Sequence, residues 1–236
     1  MRLLVSVRNA VEAQAALAGG ADIVDAKEPL NGALGQVEPA TLSSIAAAVA
    51  DAAPLSVALG DAGKDDIAEG LRAAAGAGVA FVKLGFAGGR RVTIDLPAHS
   101  FLAGPALIVV AYADYARADA PPPDDVIEIG RRMNARGVLL DTHDKSGPGL
   151  TSMIPAAALR AFVTRARSCG LIAALAGKLT DDDIELVCEA GADIAGFRGA
   201  ACEGGRTGVV SAARVRALRA RLDYVTSKTV FTLPAI

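Results

Sequence analysis

One short pattern occurs four times along the sequence, and its spacing constrains the fold more than any other feature. Each copy is a helix end, a glycine, a hydrophobic run and a charged residue: AGGADIVDAK, AGAGVAFVKLG, NARGVLLDTHDK and EAGADIAGFRG. The charged residues are Lys27, Lys83, Asp141 and Arg198, and they are 56, 58 and 57 positions apart. Each interval has room for two units of a strand and a helix. The pattern therefore predicts eight such units, with a charged residue closing every second strand.

Short β-rich runs alternate with Ala-rich helical stretches along the whole chain. The predicted strands are residues 3–7, 22–26, 55–59, 81–85, 106–112, 138–141, 171–176 and 193–197. This alternation favours a closed parallel α/β barrel, the (β/α)8 or TIM barrel. An open doubly wound sheet is the main alternative, but it normally has a glycine-rich fingerprint after the first strand, and VSVRNAVEAQ has none. We expect one barrel domain over residues 1–236, with 222–236 as a C-terminal tail.

Capping signals indicate where several helices begin and end. Asn9 can cap AVEAQAALAGG, and PPPDD at 121–125 breaks the chain before VIEIGRRMNARG. TDDD at 180–183 supplies capping oxygens and negative charge at the start of IELVCEAGAD. Glycines follow several predicted helix ends, where a left-handed cap is common.

The composition argues against several classes of function. The 236 residues are 52% hydrophobic with a formal net charge of -2, so there is no basic surplus for binding nucleic acid. No apolar run approaches the ~18 residues of a membrane helix. The chain runs straight into a strand without a signal peptide, so we expect a cytoplasmic protein. Cysteines without C-x-x-C spacing and the two histidines, His99 and His143, predict neither a disulfide framework, nor a metal site, nor a cofactor.

Side-chain parity indicates where the charged residues point. Successive residues of a strand face opposite sides. In the second strand Asp25 and Lys27 share one face, while the apolar residues beside them share the other. Lys83 and Asp141 likewise face away from their apolar neighbours. We therefore predict that these charges point into the barrel around one cavity; the alternative is that each is a solvated strand end.

Lysine is rare in this chain but is concentrated at the predicted strand ends. Only six of the 24 basic residues are Lys, and four of the six lie at strand ends or just after them. Arg keeps its proton at workable pH, whereas a desolvated or crowded Lys can lose it. A neutral amine can add to a carbonyl and form an imine, which serves as an electron sink for carbon-carbon bond chemistry. Asp25 and Asp141 would hold the cations and shuttle protons.

Three segments carry a resemblance to a known family. SVRNAVEAQAALAGGADIVDAKEPLNGALG, FVKLG and LLDTHDKSG are similar to the (5-formylfuran-3-yl)methyl phosphate synthases, and the similarity covers essentially the whole chain. Members of that family resemble class I aldolases. They join two molecules of glyceraldehyde 3-phosphate into 4-(hydroxymethyl)-2-furancarboxaldehyde phosphate, the furan precursor of methanofuran. The resemblance implies a barrel fold and a lyase whose substrates are phosphorylated trioses.

The same resemblance assigns roles to individual residues. It implies that Lys27 is the Schiff-base lysine and that Lys83 is the proton acceptor. Asp25, Asp141 and Lys145 correspond to further active-site positions. The Ala- and Arg-rich composition favours a bacterial member, whose product could serve a methanofuran-like cofactor.

The loops after the seventh and eighth predicted strands are candidates for binding phosphate. They read AGKLTDDD and FRGAACEGGRTG, and barrels often bind phosphate there through glycine amides. The predicted ligands are Gly177, Lys178, Arg198 and Gly199, with Arg206 nearby. The alternative for these glycines is ordinary turn chemistry.

Two further residues are candidates for the site, and for each of them a role outside the site is equally well supported. Arg8, at the end of the first strand, could reach a phosphate or lie on the surface. His143 could assist proton transfer or belong to a polar loop.

Two other functions stay open at this point. Another imine-forming triose-phosphate aldolase would keep the same lysines and give an acyclic product. A barrel without activity would bind phosphates and form no imine. We also expect a homo-oligomer in which the apolar tail packs on another subunit; alternatively, the tail covers the side of its own barrel.

Overall fold

A computed structural model describes residues 1–63, 67–89 and 104–231 of the chain, and in them eight parallel strands form a closed barrel. Each strand pairs with the next along the chain, and the last strand pairs with the first. The strands are β1 Arg2–Val7, β2 Ile23–Ala26, β3 Leu55–Asp61, β4 Phe81–Gly85, β5 Ala106–Tyr112, β6 Gly137–Asp141, β7 Ile172–Leu175 and β8 Ile194–Phe197. The (β/α)8 barrel predicted from the sequence is confirmed.

Helices connect and cover these strands. They are α1 Ala10–Ala18, α2 Pro39–Val49, α3 Ile67–Gly76, α4 Pro123–Arg132, α5 Leu150–Met153, α6 Ala156–Ser168, α7 Ile184–Glu189 and α8 Ala212–Phe231. The loop after β8 contains a short antiparallel ribbon, β9 Cys202–Glu203 and β10 Val209–Val210. Among the residues described, no helix is both long and apolar enough to cross a membrane.

The capping signals are confirmed with one correction. The Asn9 side chain accepts a hydrogen bond from the Glu12 amide at 2.9 Å, and Thr180 and Asp183 form a reciprocal capping box before α7. The correction concerns α4, which begins at Pro123, inside the segment expected to precede it. Proline suits the first helical turn because its fixed φ is already helical and the amide it lacks would have no partner there.

Side chains on the two faces of the barrel wall form two separate apolar clusters. Val24, Val82 and Leu140 face outward and belong to the large core beneath the helices. Ile23 and Leu139 face inward and belong to the smaller cluster inside the barrel. Each fully buried Val or Leu contributes about 1.5–3 kcal/mol. Small inward residues, including Ser6, Ser56 and Gly196, leave space open along the barrel axis.

The C-terminal segment continues a helix of the barrel. Residues 222–231 belong to α8, so the boundary expected at 222 falls inside this helix. Leu222 and Val225 are buried, and α8 packs on α7 and α1. This part of the segment therefore packs on its own barrel, and contact with a second subunit stays a prediction. Residues 232–236 and His99 lie outside the described residues.

Gly85, the last residue of β4, lies where two side chains of neighbouring strands meet. The Tyr112 hydroxyl donates to Asp61 Oδ1 at 2.8 Å, and both side chains are buried. A Cβ atom on Gly85 would lie 2.4 Å from the Tyr112 hydroxyl oxygen and 2.3 Å from Asp61 Oδ1. Glycine at this position therefore allows the contact between β3 and β5.

Substitution of Gly85 tests this packing. Gly85→Ala is expected to lower the free energy of unfolding by about 1–3 kcal/mol, because a buried hydrogen-bonded pair would have to separate. The measurement is urea unfolding followed by circular dichroism. Gly76→Ala in α3 is the control, because its Cβ would meet nothing within 4 Å; it should be neutral or stabilise by up to about 1 kcal/mol. Equal effects of the two substitutions would contradict the account of Gly85.

Candidate active site

A cavity of about 270 Å³ lies inside the barrel and opens at the carboxyl ends of the strands. The charged residues of the repeated pattern, Lys27, Lys83, Asp141 and Arg198, all line it. Lys145, from the loop after β6, joins them. The spacing of the pattern thus brings residues from four alternate strands to one place.

Lys83 forms a buried ion pair at one side of this cavity. Its Nζ donates to Asp25 Oδ2 at 2.6 Å, and the Ser6 hydroxyl donates to the same oxygen at 2.8 Å. Asp25 is fully buried, and its Oδ1 has no hydrogen-bond partner among the described residues. Asp25 does not line the cavity, so it holds Lys83 from behind.

Asp141 is placed between two other amines. Its Oδ1 accepts from Lys145 Nζ at 2.6 Å and from the Thr142 amide at 2.7 Å. Its Oδ2 lies 4.0 Å from Lys27 Nζ. Burial raises the pKa of Asp141, but the charges of Lys145 and Lys27 outweigh it and the net pKa is lowered. This carboxylate therefore stays ionised and neutralises about one of its two neighbouring amines.

Lys27 is the amine with the weakest counterion contact. Its nearest carboxylate oxygen is 4.0 Å away, whereas Lys83 and Lys145 each have one at 2.6 Å. Burial lowers the pKa of Lys27 to about 7. The charge of Asp141 opposes this shift, and the neighbouring ammonium groups add to it. Near neutral pH a large fraction of Lys27 is therefore an uncharged, nucleophilic amine.

Backbone amides line the mouth of the cavity at the loops after β7 and β8. The N–H groups of Gly177, Lys178, Gly199 and Ala200 belong to cavity-lining residues and have no partner in the described part of the chain. Gly177 and Lys178 both have positive φ, 108° and 58°. Successive amides in such a turn can point to one side and form a concave site for an anion. The Lys178 amine donates to the Gly147 carbonyl.

Arg198 lies at this mouth but is fully occupied by the protein. Its guanidinium donates to both carboxylate oxygens of buried Glu12, and also to the carbonyls of Ser6, Arg206 and Gly208. These contacts use all five of its N–H groups. Arg198 was predicted to bind phosphate, but in this arrangement it has no free N–H group to donate.

Arg8 and His143 lie away from the central cavity. Arg8 Nε is 3.3 Å from Glu12 Oε1, and Arg8 does not line the cavity. The His143 amide donates to Asp114 at 2.6 Å, and its ring packs edge-on against Tyr112, with ring centroids 5.1 Å apart. His143 lines a second, neighbouring cavity beside residues 31–39.

Sequence reasoning missed the residues that support the site. Ser6 and Glu12 had no assigned role, although Ser6 has the inward parity of its strand and could have been found by that signal. Glu12 reads as an ordinary first-turn helix residue, and nothing in its neighbourhood indicates a partner 186 positions away. Across the described residues, no group of three or more His, Cys, Asp and Glu is placed to hold a metal ion.

Comparison with known proteins identifies the family. The family described as 4-HFC-P synthase matches residues 3–219. The chain belongs to the 4-HFC-P synthase family. Its members are enzymes, and the match covers all eight strands of the barrel apart from Arg2, the first residue of β1.

Relatives in this family align over most of their length. The (5-formylfuran-3-yl)methyl phosphate synthase of Methanothermobacter thermautotrophicus is 35% identical over 235 residues, which cover 94% of this chain and 99% of that protein. A protein of Methylorubrum extorquens is 38% identical over 206 residues, covering 85% of this chain and 82% of that protein. Among solved structures, phosphoribosyl anthranilate isomerase from Thermus thermophilus superposes with a TM-score of 0.66 at 19% identity, over 95% of this chain and 100% of that one. This last similarity shows a shared barrel fold.

The lowered pKa of Lys27 predicts a distinctive pH profile. Reductive methylation with formaldehyde and cyanoborohydride requires the neutral amine, so methylation of Lys27 should rise with pH and level off above about 7. Nα-acetyl-lysine in the same solution has an ordinary pKa of about 10.4 and should keep rising. Peptide mass spectrometry measures methylation at Lys27. Parallel profiles for the two amines would contradict a lowered pKa.

Proposed function

We propose that this chain condenses two molecules of glyceraldehyde 3-phosphate into 4-(hydroxymethyl)-2-furancarboxaldehyde phosphate through an imine on Lys27. The product would serve the biosynthesis of methanofuran or of a methanofuran-like one-carbon cofactor. Membership of the 4-HFC-P synthase family supports the product. The observation that carries the mechanism is a buried amine with a pKa of about 7, Lys27, in a cavity whose mouth presents unpaired amides.

The proposed reaction balances without any redox partner. Two triose phosphates lose one phosphate and two waters and give the furan monophosphate. The steps are one carbon-carbon bond formation, one ring closure and a series of eliminations. Carbon-carbon bond formation and the eliminations remove protons from carbons next to a carbonyl or imine, and ring closure moves a hydroxyl proton. The enzyme therefore needs an electron sink and several proton carriers.

Lys27 supplies the electron sink. Its neutral amine adds to the carbonyl carbon of one triose, and water leaves to give the imine. Protonation of the imine nitrogen makes the neighbouring C–H acidic, and loss of that proton gives an enamine. The enamine carbon then attacks the aldehyde of the second triose. Asp141, 4.0 Å from the Lys27 amine, stabilises the cationic iminium form.

Lys83 and Lys145 supply the proton carriers. Each amine lines the cavity and is hydrogen-bonded at 2.6 Å to a carboxylate, Lys83 to Asp25 and Lys145 to Asp141. A carboxylate at this distance can take the ammonium proton, which leaves a neutral amine beside a neutral acid. The amine can then accept a proton from the substrate and pass it on. In the proposal Lys83 accepts the proton next to the imine, and Asp25 positions Lys83.

The loops after β7 and β8 supply phosphate binding. Free hydrogen-bond donors suit phosphate oxygens, and the unpaired amides of Gly177, Lys178, Gly199 and Ala200 are such donors. The cavity wall also has more cations than anions, since Lys27, Lys83, Lys145 and Lys178 line it with one carboxylate of the described residues, that of Asp141. Both features favour a substrate that carries negative charge.

Borohydride trapping tests the imine. Borohydride added during turnover with glyceraldehyde 3-phosphate should leave a triose-derived mass on the peptide that contains Lys27. Lys27→Arg should abolish the label and furan synthesis, because guanidinium stays protonated and cannot attack a carbonyl. Lys83→Arg should still trap some triose at Lys27 while furan formation stalls. Lys228→Arg, an exposed change on α8, is the control and should behave as the unmodified chain does.

The outcome of the same experiment separates the alternatives. A label on Lys83 or Lys145 in the unmodified chain, or furan synthesis by Lys27→Arg, would overturn the assignment of Lys27. An acyclic product would indicate a different aldolase. Phosphate binding without any trapped imine would indicate a barrel that only binds its ligand.

Metal removal tests the cofactor requirement. Because the proposed imine polarises the carbonyl, furan synthesis should survive exhaustive chelation with EDTA at an unchanged rate. Product formation followed by ultraviolet absorbance is the measurement. Loss of activity on chelation and recovery with a divalent ion would show that a metal takes part.

A further inference from the structure

A second arginine, Arg206, crosses the mouth of the cavity. It belongs to the loop after β8, and its guanidinium donates to two carbonyls of the loop after β2, those of Pro29 and Gly32, the latter at 2.7 Å. Arg206 is half-buried and lines the cavity together with Lys27. The two loops are therefore joined at the cavity that Lys27 lines.

The loop that Arg206 holds begins at the residue after Lys27 and is closed on itself. The Glu28 amide donates to the Gly35 carbonyl at 2.9 Å, and the Glu28 carboxylate accepts the Leu30 amide at 2.9 Å. Residues 28–35 therefore form a small preformed unit. Because Lys27 enters this unit directly, a contact that fixes the unit also limits where the Lys27 backbone can move.

Arg206 is itself fixed by the buried arginine beside it. The Arg206 carbonyl accepts Arg198 Nε at 3.0 Å, and Arg198 is held by Glu12, which is 1% exposed. The same loop folds back so that a Cβ on Gly199 would lie 3.6 Å from the Arg206 amide nitrogen. Arg198 thus anchors the loop, and Arg206 is the cavity-lining arginine of this loop that keeps free N–H groups.

The guanidinium of Arg206 is held by neutral groups and not by a carboxylate. Its two acceptors are neutral carbonyls, and no carboxylate within the described ranges lies within salt-bridge distance of it. Two of its five N–H groups are used, whereas Arg198 uses all five. Burial lowers the pKa of Arg206, and the more distant charges of Asp141 and Glu28 oppose this shift. A guanidinium with free donors and no counterion is a strong ligand for phosphate.

We propose that Arg206 binds the phosphate of a triose substrate while holding residues 28–35, and so determines specificity for phosphorylated substrates. This inference rests on the proposed function, because it assumes that Lys27 engages the same triose. The phosphate would also meet the unpaired amides of Gly199 and Ala200, which belong to the same loop. A triose without phosphate would leave the Arg206 charge unpaired.

Arg206→Gln separates the effect of the Arg206 charge from the effect of its hydrogen bonds to the loop of residues 28–35. Glutamine keeps an N–H donor for the carbonyls and loses the positive charge, whereas Arg206→Lys keeps the charge and loses the forked geometry. Arg216→Gln is the matched control, because Arg216 also donates to a carbonyl, that of Ala18, and does not line the cavity. Thermal unfolding confirms that each variant is folded.

Two measurements are made on each variant. Calorimetric titration gives the affinity for inorganic phosphate, and borohydride trapping at Lys27 compares glyceraldehyde 3-phosphate with unphosphorylated glyceraldehyde. In Arg206→Gln we expect phosphate affinity to fall about 10- to 100-fold, the range for loss of a charge-assisted contact. Trapping of the phosphorylated triose at low concentration should fall in parallel, while glyceraldehyde trapping stays nearly unchanged. Arg206→Lys should recover part of the affinity, and Arg216→Gln should match the unmodified chain.

Several outcomes would overturn this role. An unchanged phosphate affinity in Arg206→Gln would remove Arg206 from the anion site, and so would absence of phosphate binding by the unmodified chain. Equal loss of trapping for both aldehydes would show that Arg206 only holds the loop. If the unmodified chain traps neither aldehyde at Lys27 but binds phosphate through Arg206, the proposed function fails while the anion site stands.

Discussion

Lys27, Lys83 and Lys145 share only two carboxylates of the described residues, Asp25 and Asp141, so these lysines cannot all stay charged at low cost. Desolvation penalises each ammonium, and only a close carboxylate offsets that penalty. Lys83 and Lys145 have such partners at 2.6 Å, and Lys27 does not. The excess of one cation therefore falls on Lys27, whose pKa drops to about 7. The barrel wall maintains this imbalance, because its outward residues pack under the helices and its small inward residues leave the cavity open.

A chain of buried hydrogen bonds connects the loop after β8 to Lys83. Arg198 donates to the Ser6 carbonyl, the Ser6 hydroxyl donates to Asp25, and Asp25 accepts Lys83. Each link joins a different strand, so the loop after β8, the first strand and the lysine of β4 are held in one arrangement. Arg198 and Glu12 close the chain with a buried, bidentate ion pair. Breaking one member would leave its partner charged and unpaired, which is why such pairs hold a geometry firmly.

Much of the fold and part of the site were readable from the sequence, for a physical reason. The alternation of strands and helices and the spacing near 57 residues are local signals, and strand parity then places Lys27, Lys83 and Asp141 inside. Contacts between distant residues carry no local signal. The Tyr112 to Asp61 bond spans 51 positions and the Arg198 to Glu12 pair spans 186, so neither could be read from its neighbourhood. Arg198 was accordingly expected to face a ligand, whereas the structure gives all its N–H groups to the protein.

Pairing of β1 with β8 has a consequence for how the molecule acquires its activity. The first strand finds its second neighbour only when residues near 194 are available, and Glu12 finds Arg198 at the same stage. Contacts of such long sequence separation form late, because the loop-closure entropy is lost before the contact stabilises anything. A nascent chain that already contains all three lysines would therefore hold them without the ion pair between Glu12 and Arg198 that orders the cavity. The cavity around these lysines is therefore complete only once β8, whose residues form part of its wall, has paired with β1.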